Sequence, residues 1–319
     1  LDQGRTQDCP FQVAVFTNLS RDHLDYHHTM DEYFAAKSRL FTELGSDASG
    51  RAPTAVINLD DSRGRQLLAV TRAKTLTYGL GAECQIRADG VQVERGGLRF
   101  RLATPAGESV VQSPLIGDFN VYNILAAAGA GLALNLPLES VIRGIESLQS
   151  IPGRLERVEN RKGLTLVVDY SHKPDALLKA MTSLKPYVKG RLITVFGCGG
   201  DRDRGKRYDM GRLAGEHSDV AFITSDNPRS EDPLTIVEEI EKGMLDSGLR
   251  KGSENGRPAR GYYLEVDRRQ AIRKAVAMAS EADVVLIAGK GHEDYQIIGS
   301  ERRPFRDQEE AARAASEGV

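Results

Sequence analysis

The stretch 192–207, LITVFGCGGDRDRGKR, sets an unbroken apolar run against a loop of glycines and charges. An apolar run of that length, bounded by turn signals, reads as a strand buried on both faces, and a helical pattern at 209–216 follows it. The same unit recurs on either side. Further apolar strands are predicted at 164–169, 220–225 and 283–289, with helical patterns at 174–184, 233–245 and 267–279. Strands and helices alternating in this way predict a Rossmann-like, doubly wound α/β fold with a parallel sheet. Each strand runs into a polar or glycine-rich loop, at 170–174, 198–207, 226–232 and 290–293. These loops are expected to line up along one sheet edge, where such folds place their chemistry.

Before Ile151-Pro152-Gly153 the rhythm differs. Residues 12–18, QVAVFTN, predict a short buried strand, and Thr29-Met30-Asp31-Glu32 has the spacing of a capping box opening a helix to about residue 44. Residues 54–59 form another apolar strand. Alternation across 74–113, with turn signals at Asp89-Gly90 and Gly96-Gly97, predicts a small antiparallel sheet. Helices are expected at 120–134 and 138–148. The 319 residues thus divide into one domain over 1–150 and another over 151–319.

Composition narrows the function classes. With 40% hydrophobic and 28% charged residues the chain is globular, not disordered or fibrous. Forty-three basic against 45 acidic side chains give a net charge of −2 and no general attraction to nucleic acid. The most apolar stretch, 124–138, is broken by Gly129, Gly131, Asn135 and Pro137, so no bilayer span is expected. Cys9, Cys84 and Cys198 lie far apart without C-x-x-C spacing, which suits a reducing cytoplasm. The first residue is Leu1 and no signal-peptide pattern follows, so the chain is expected to start partway through something larger.

Several residues carry potential chemistry. Lys37 occupies a slot on the apolar stripe of Met30, Phe34, Phe41 and Leu44. Such a lysine either snorkels at the stripe's edge or is modified or used as a ligand. The run 17–28, TNLSRDHLDYHH, offers imidazoles and carboxylates suited to Mg, Mn or Zn, or is a solvated loop; it lacks zinc spacing. The loop 197–207 is not a Walker A loop, because Arg207 follows Lys206 where Ser or Thr is required. Its guanidiniums suit a carboxylate or phosphate, or solvent. Asp226-Asn227-Pro228-Arg229 combines acceptor, amide and guanidinium, enough to hold a zwitterion, although Asn-Pro also marks an ordinary turn. Lys290-Gly291-His292-Glu293 completes the set of strand-end loops.

Taken together, these segments resemble the Mur ligases, specifically the MurE type that adds the third amino acid to the peptidoglycan precursor. The resemblance rests on TNLSRDHLDYH at 17–27, YFAAKSRLF at 33–41, GDFNVYNILAA at 117–127 and PGRLERV at 152–158. It continues through DYSHKPDAL at 169–177, FGCGGDRDRGKR at 196–207, SDNPRSEDP at 225–233 and GKGHEDYQ at 289–296. It implies the latter part of a central ATPase domain followed by a C-terminal ligand domain. It implies an ATP- and Mg²⁺-dependent amide ligase of cell-wall biogenesis, cytoplasmic and monomeric, with no nucleic-acid or membrane partner. ATP phosphorylates the D-glutamyl carboxylate of UDP-N-acetylmuramoyl-L-alanyl-D-glutamate, and the amine of meso-diaminopimelate displaces phosphate.

By the same resemblance His23 matches a metal-binding histidine and Lys37 a lysine carbamylated by CO₂ near Mg²⁺. Asn123, with Asn120 beside it, matches an adenine contact, and Arg154, Asp169 and His172 match nucleotide contacts. Arg202, Asp226, Asn227, Arg229, Gly289 and Glu293 match the pocket for the incoming amino acid. The family's UDP-sugar domain, phosphate loop and a metal-binding glutamate are expected before residue 1, so this chain alone is expected to form no amide. His28 stands where glycine is common and Lys173 where threonine is frequent. The alternatives are a ligase of the same type adding L-lysine, an inactive binding module, and a Rossmann-like dehydrogenase, against which the missing dinucleotide fingerprint counts.

Overall fold

The structure is a computed structural model and describes residues 1–6, 9–20, 24–44, 52–94, 96–252 and 260–317. It separates into two compact units, Leu1–Pro114 with Asp118–Gln149, and Leu115–Gly117 with Ser150–Val319.

In the first unit the elements are β1 (Val13–Phe16), α1 (Leu24–His27), α2 (Met30–Thr42), β2 (Thr54–Asn58), α3 (Ser62–Val70) and β3 (Lys74–Gly79). They continue with β4 (Ile86–Glu94), β5 (Gly97–Thr104), β6 (Gly107–Ser113), α4 (Phe119–Ala133) and α5 (Leu138–Ser147). Thr29 caps α2, its hydroxyl accepting from the Glu32 N–H at 3.1 Å. One six-stranded sheet runs in the order β1-β2-β3-β4-β5-β6. This corrects the expectation of a small antiparallel sheet over 74–113. β3 pairs in parallel with β2 and with β4, and only β4-β5-β6 is antiparallel. Asp89-Gly90 is no turn; it lies inside β4, where the pairing with β5 shifts register between Asp89 and Gln92 and Gly90 takes φ +62°. Side chains alternate along β2. Ala55 and Ile57 pack with Phe41 and Leu67, whereas Val56 packs with Val121, Leu125 and Ala128 of α4.

The second unit holds β7 (Glu156–Val158), β8 (Thr165–Asp169), α6 (Pro174–Leu184), β9 (Leu192–Phe196), α7 (Lys206–His217), β10 (Val220–Ile223) and α8 (Pro233–Asp246). Then follow β11 (Gly261–Leu264), α9 (Arg268–Met278), β12 (Val284–Ala288), β13 (Tyr295–Ile298), β14 (Glu301–Pro304) and α10 (Asp307–Ser316). The sheet order is β11-β10-β9-β12-β8-β7, parallel throughout except for β7. Its two faces are both covered: Phe196, Ile223 and Leu286 pack toward α6–α8, and Val195, Phe222 and Ile287 toward α9 and α10. This is the doubly wound α/β architecture the alternation predicted. α7 begins at Lys206, earlier than the apolar pattern indicates, because its first turn is charged and carries no periodicity. β13 and β14 form a separate antiparallel hairpin.

Candidate functional site

The four loops that follow β8, β9, β10 and β12 meet at the carboxyl ends of the parallel strands. Their meeting depends on backbone-to-backbone approach. The Gly200 N–H donates to the Asn227 carbonyl at 2.9 Å, and a Cβ on Gly200 would stand 1.9 Å from the Pro228 oxygen. Gly289 takes φ +120°, and a Cβ there would lie 2.6 Å from Asp226 Oδ2. Gly289 therefore leaves room for the Asp226 carboxylate.

The charged clamp behind these loops is Arg207, 1% exposed, which donates to Glu231 at 2.8 and 2.9 Å and to Glu239 at 2.7 Å. Hydrogen bonds from Arg207 first, and then from the Asp201 N–H, pull the Glu231 carboxyl down to about 2. The β13–β14 hairpin braces the other side. Ile297 N–H donates to Asn227 Oδ1 at 2.9 Å, Gln296 Nε2 to the Asp226 carbonyl at 2.7 Å, and Arg229 N–H to the Ile297 carbonyl at 3.1 Å. Arg229 is held at φ +52° by these contacts.

Two kinds of charge sit side by side here. Asp226 and Glu293 share the ammonium of Lys290, at 3.8 and 3.0 Å. Arg229 Nη1 donates to the Gly200 carbonyl at 2.8 Å, and Arg202 Nη1 to the Asp201 carbonyl at 3.1 Å. Neither arginine forms an ion pair among the described residues. Both approach Gly199, where an added Cβ would be 2.9 Å from Arg229 Nη1 and 3.8 Å from Arg202 Cγ. Arg229 is half-buried and Arg202 exposed. An arrangement with two guanidiniums outside any ion pair of the described residues, beside a net-negative cluster, suits a zwitterionic ligand.

Asp169, Arg154 and His172 fall at the β8 end of the same sheet edge. Asp169 is buried and occupied: it accepts from the Leu155 N–H at 2.8 Å and the Ser171 N–H at 2.9 Å, and from the Ser171 hydroxyl. His172 Nδ1 donates to the Tyr170 carbonyl at 2.9 Å. The Arg154 guanidinium lies 5.5 Å from the centre of the Tyr170 ring, with the His172 and His292 rings at 4.7 and 5.2 Å. Tyr170 thus organises this patch.

In the first unit a cleft of about 350 Å³ opens past the ends of β1 and β2, lined by Thr17, Asn18, Asn58, Asp60, Tyr122 and Asn123, among others. Asn123 Nδ2 donates to buried Asn120 Oδ1 at 2.9 Å. Asp60 Oδ2 accepts from the Tyr122 hydroxyl at 3.0 Å, and burial first, then this bond, pushes the Tyr122 phenol up to about 12. Asn58 lies inside 54–59, where the apolar pattern marks only a strand, and Asp60 follows it outside any motif. Lys37 is half-buried, not fully inward, with its ammonium 4.9 Å above the Tyr33 ring. His23 lies outside the described residues.

Two family descriptions match the chain: the Mur ligase middle domain over residues 1–131 and the Mur ligase glutamate ligase domain over 153–291. The chain belongs to the Mur ligase family. It is 48% identical over 319 residues to a Geobacter sulfurreducens protein named UDP-N-acetylmuramoyl-L-alanyl-D-glutamate–2,6-diaminopimelate ligase, covering 98% of this chain. A Geobacter metallireducens protein of the same name is 49% identical over 322 residues, covering 99% of this chain. The chain spans 63% of the length of each of these relatives. A solved structure of a protein with that name matches 99% of this chain and 62% of its own, at 37% identity and a TM-score of 0.69. Within this Mur ligase chain, Arg202, Asp226, Asn227, Arg229, Gly289 and Glu293 come together in the second unit. Asn120 and Asn123 come together in the first.

Proposed function

We propose that this chain supplies the amino-acid pocket and part of the nucleotide site of an amide ligase that joins meso-diaminopimelate to UDP-N-acetylmuramoyl-L-alanyl-D-glutamate. The observation that carries the reading is the pair of guanidiniums without ion pairs, Arg202 and Arg229, beside the Asp226–Lys290–Glu293 cluster. One end of diaminopimelate is a zwitterion, so the arginines take its carboxylate and the acidic cluster its ammonium. L-Lysine lacks that carboxylate and would leave Arg229 without an anion. The names of the relatives support the same amino acid. In this reading ATP converts the D-glutamyl carboxylate to an acyl phosphate, and the amine positioned by the pocket attacks it and expels phosphate. Asn123, fixed by Asn120, contacts the adenine, and Arg154 and His172 contact the nucleotide. Asp169 holds the loop that carries His172. By the family resemblance alone, we propose that the enzyme works in the cytoplasm as a monomer. No helix among the described residues is long and apolar enough to cross a membrane.

Mur ligases in general use ATP and Mg²⁺. Among the described residues no three His, Cys, Asp or Glu side chains form a metal site. Lys37 as a cation repels a metal ion, and the described donors do not by themselves fit Mg²⁺. Lys37 becomes a fitting anion only as a carbamate, formed when its neutral amine adds CO₂ and loses a proton. We predict a carbamate ¹³C signal from ¹³C-bicarbonate that Lys37→Ala abolishes; identical spectra for the two proteins would remove Lys37 from the site.

Calorimetric titration of the chain with each amino acid tests the pocket. Because Arg229 is half-buried, the loss of its anion is worth about 1.5–3 kcal/mol at most, so diaminopimelate is expected to bind about 10–100-fold more tightly than L-lysine. Arg229→Ala is expected to erase most of that difference. Equal affinities in the unaltered chain would contradict the assignment.

A further inference from the structure

Lys290 is fully buried, and the reading above gives it no contact with any substrate. Its ammonium donates to Asn227 Oδ1 at 3.1 Å and to Glu293 Oε2 at 3.0 Å. Asn227 Oδ1 also accepts the Ile297 N–H at 2.9 Å, so both lone pairs of that oxygen are used. The amide is thereby locked with its nitrogen toward Glu293, to which Nδ2 donates at 3.0 Å. Glu293 Oε2 consequently receives two donors, and Oε1 accepts none from a described residue. The lysine therefore fixes which carboxylate oxygen and which amide hydrogen remain for a ligand.

Its charge acts as well. Asp226 and Glu293 together carry −2, and Lys290 reduces the cluster to −1 beside Arg202 and Arg229. Without that cation the pocket would favour whichever amino acid brings an extra positive charge. At neutral pH L-lysine is a net cation, whereas meso-diaminopimelate has no net charge. We propose that Lys290 is a positioning and specificity-determining residue of the amino-acid pocket, holding Asn227 and Glu293 in place and biasing the pocket toward a net-neutral diamino diacid. This rests on the amino-acid reading given above.

The test is calorimetric titration of the chain, and of Lys290→Met, Lys290→Gln and Lys290→Arg, with meso-diaminopimelate and with L-lysine. Circular dichroism confirms folding. The unaltered chain is expected to prefer diaminopimelate. The two uncharged variants should lower the ratio of the two affinities about tenfold or more. Lys290→Arg should retain most of the ratio even where both affinities fall. Should Lys290→Met fail to fold, the Gln and Arg variants decide on the same ratio. A preserved preference in the uncharged variants, with both amino acids weakened equally, would show a merely structural lysine and overturn the inference while leaving the pocket assignment intact. Binding of neither amino acid by the unaltered chain would overturn the pocket assignment and this inference with it.

Discussion

His28 takes φ +58°, a left-handed conformation that costs a residue with a Cβ about 1–2 kcal/mol and costs glycine little. The position where the family resemblance expects glycine is thus one where the backbone calls for it. Glycine also loses more freedom on folding, so His28→Gly is predicted to stabilise the chain by only about 0.5–1 kcal/mol, read from chemical denaturation. A destabilised variant would show that the His28 side chain makes a compensating contact. Residue types in the amino-acid pocket were legible because Asp226-Asn227-Pro228-Arg229 and the loop ending in Glu293 each follow a strand. The burial of each was not legible. The half-exposed state of Arg229 and the full burial of Lys290 depend on the β13–β14 hairpin, whose strand β14 is a charged, exposed segment without an apolar pattern.

Among the elements, α6 shows the second departure from the family pattern. Lys173 stands at its N-cap in extended conformation and makes no side-chain capping hydrogen bond, and Pro174 fills the first helical position. Threonine there would supply an oxygen for the orphan N–H groups, so Lys173→Thr is predicted to add about 1 kcal/mol to stability. An unchanged denaturation midpoint would contradict this. Asp283 ties the start of β9 to the turn before β12, accepting from Arg191 Nη2 at 2.8 Å, the Arg191 N–H at 2.7 Å and the Ser280 N–H at 2.9 Å. Burial pushes its carboxyl up, but the Arg191 and Ser280 bonds outweigh it and bring the value down to about 2. A carboxyl depressed on folding stabilises above its unfolded value, about 4, and that stability fades as pH falls from about 4 toward 2. We predict an acid loss on the order of 2 kcal/mol in that window, absent in Asp283→Asn. Equal acid sensitivity in both proteins would refute it. The long apolar strands of this unit were legible because burial on both faces leaves unbroken hydrophobic runs. Short β7, the half-exposed end of β11, and α10 with its charged first turn carry too little pattern to be seen. In the first unit, the parallel pairing of β3 is not legible, because alternation reports a half-buried strand and says nothing about the direction of its neighbour.

At the scale of the whole molecule, the second unit uses its parallel sheet to bring four loops from distant parts of the chain to one edge. Arg207 and the hairpin then lock two of them in register. Sequence order alone could predict the edge, since parallel strands deliver their following loops to one side. It could not predict that Asn227 would interlock with Lys290 and Glu293, because those two contacts span more than sixty residues. This interlocked edge is expected to receive a zwitterion. The most direct measurement is a crystal structure of the chain grown with saturating meso-diaminopimelate. One carboxylate of the ligand is expected on the Arg229 guanidinium, with an ammonium against Glu293 and Asp226. An empty crevice, or diaminopimelate bound away from Arg229 and Glu293, would contradict it.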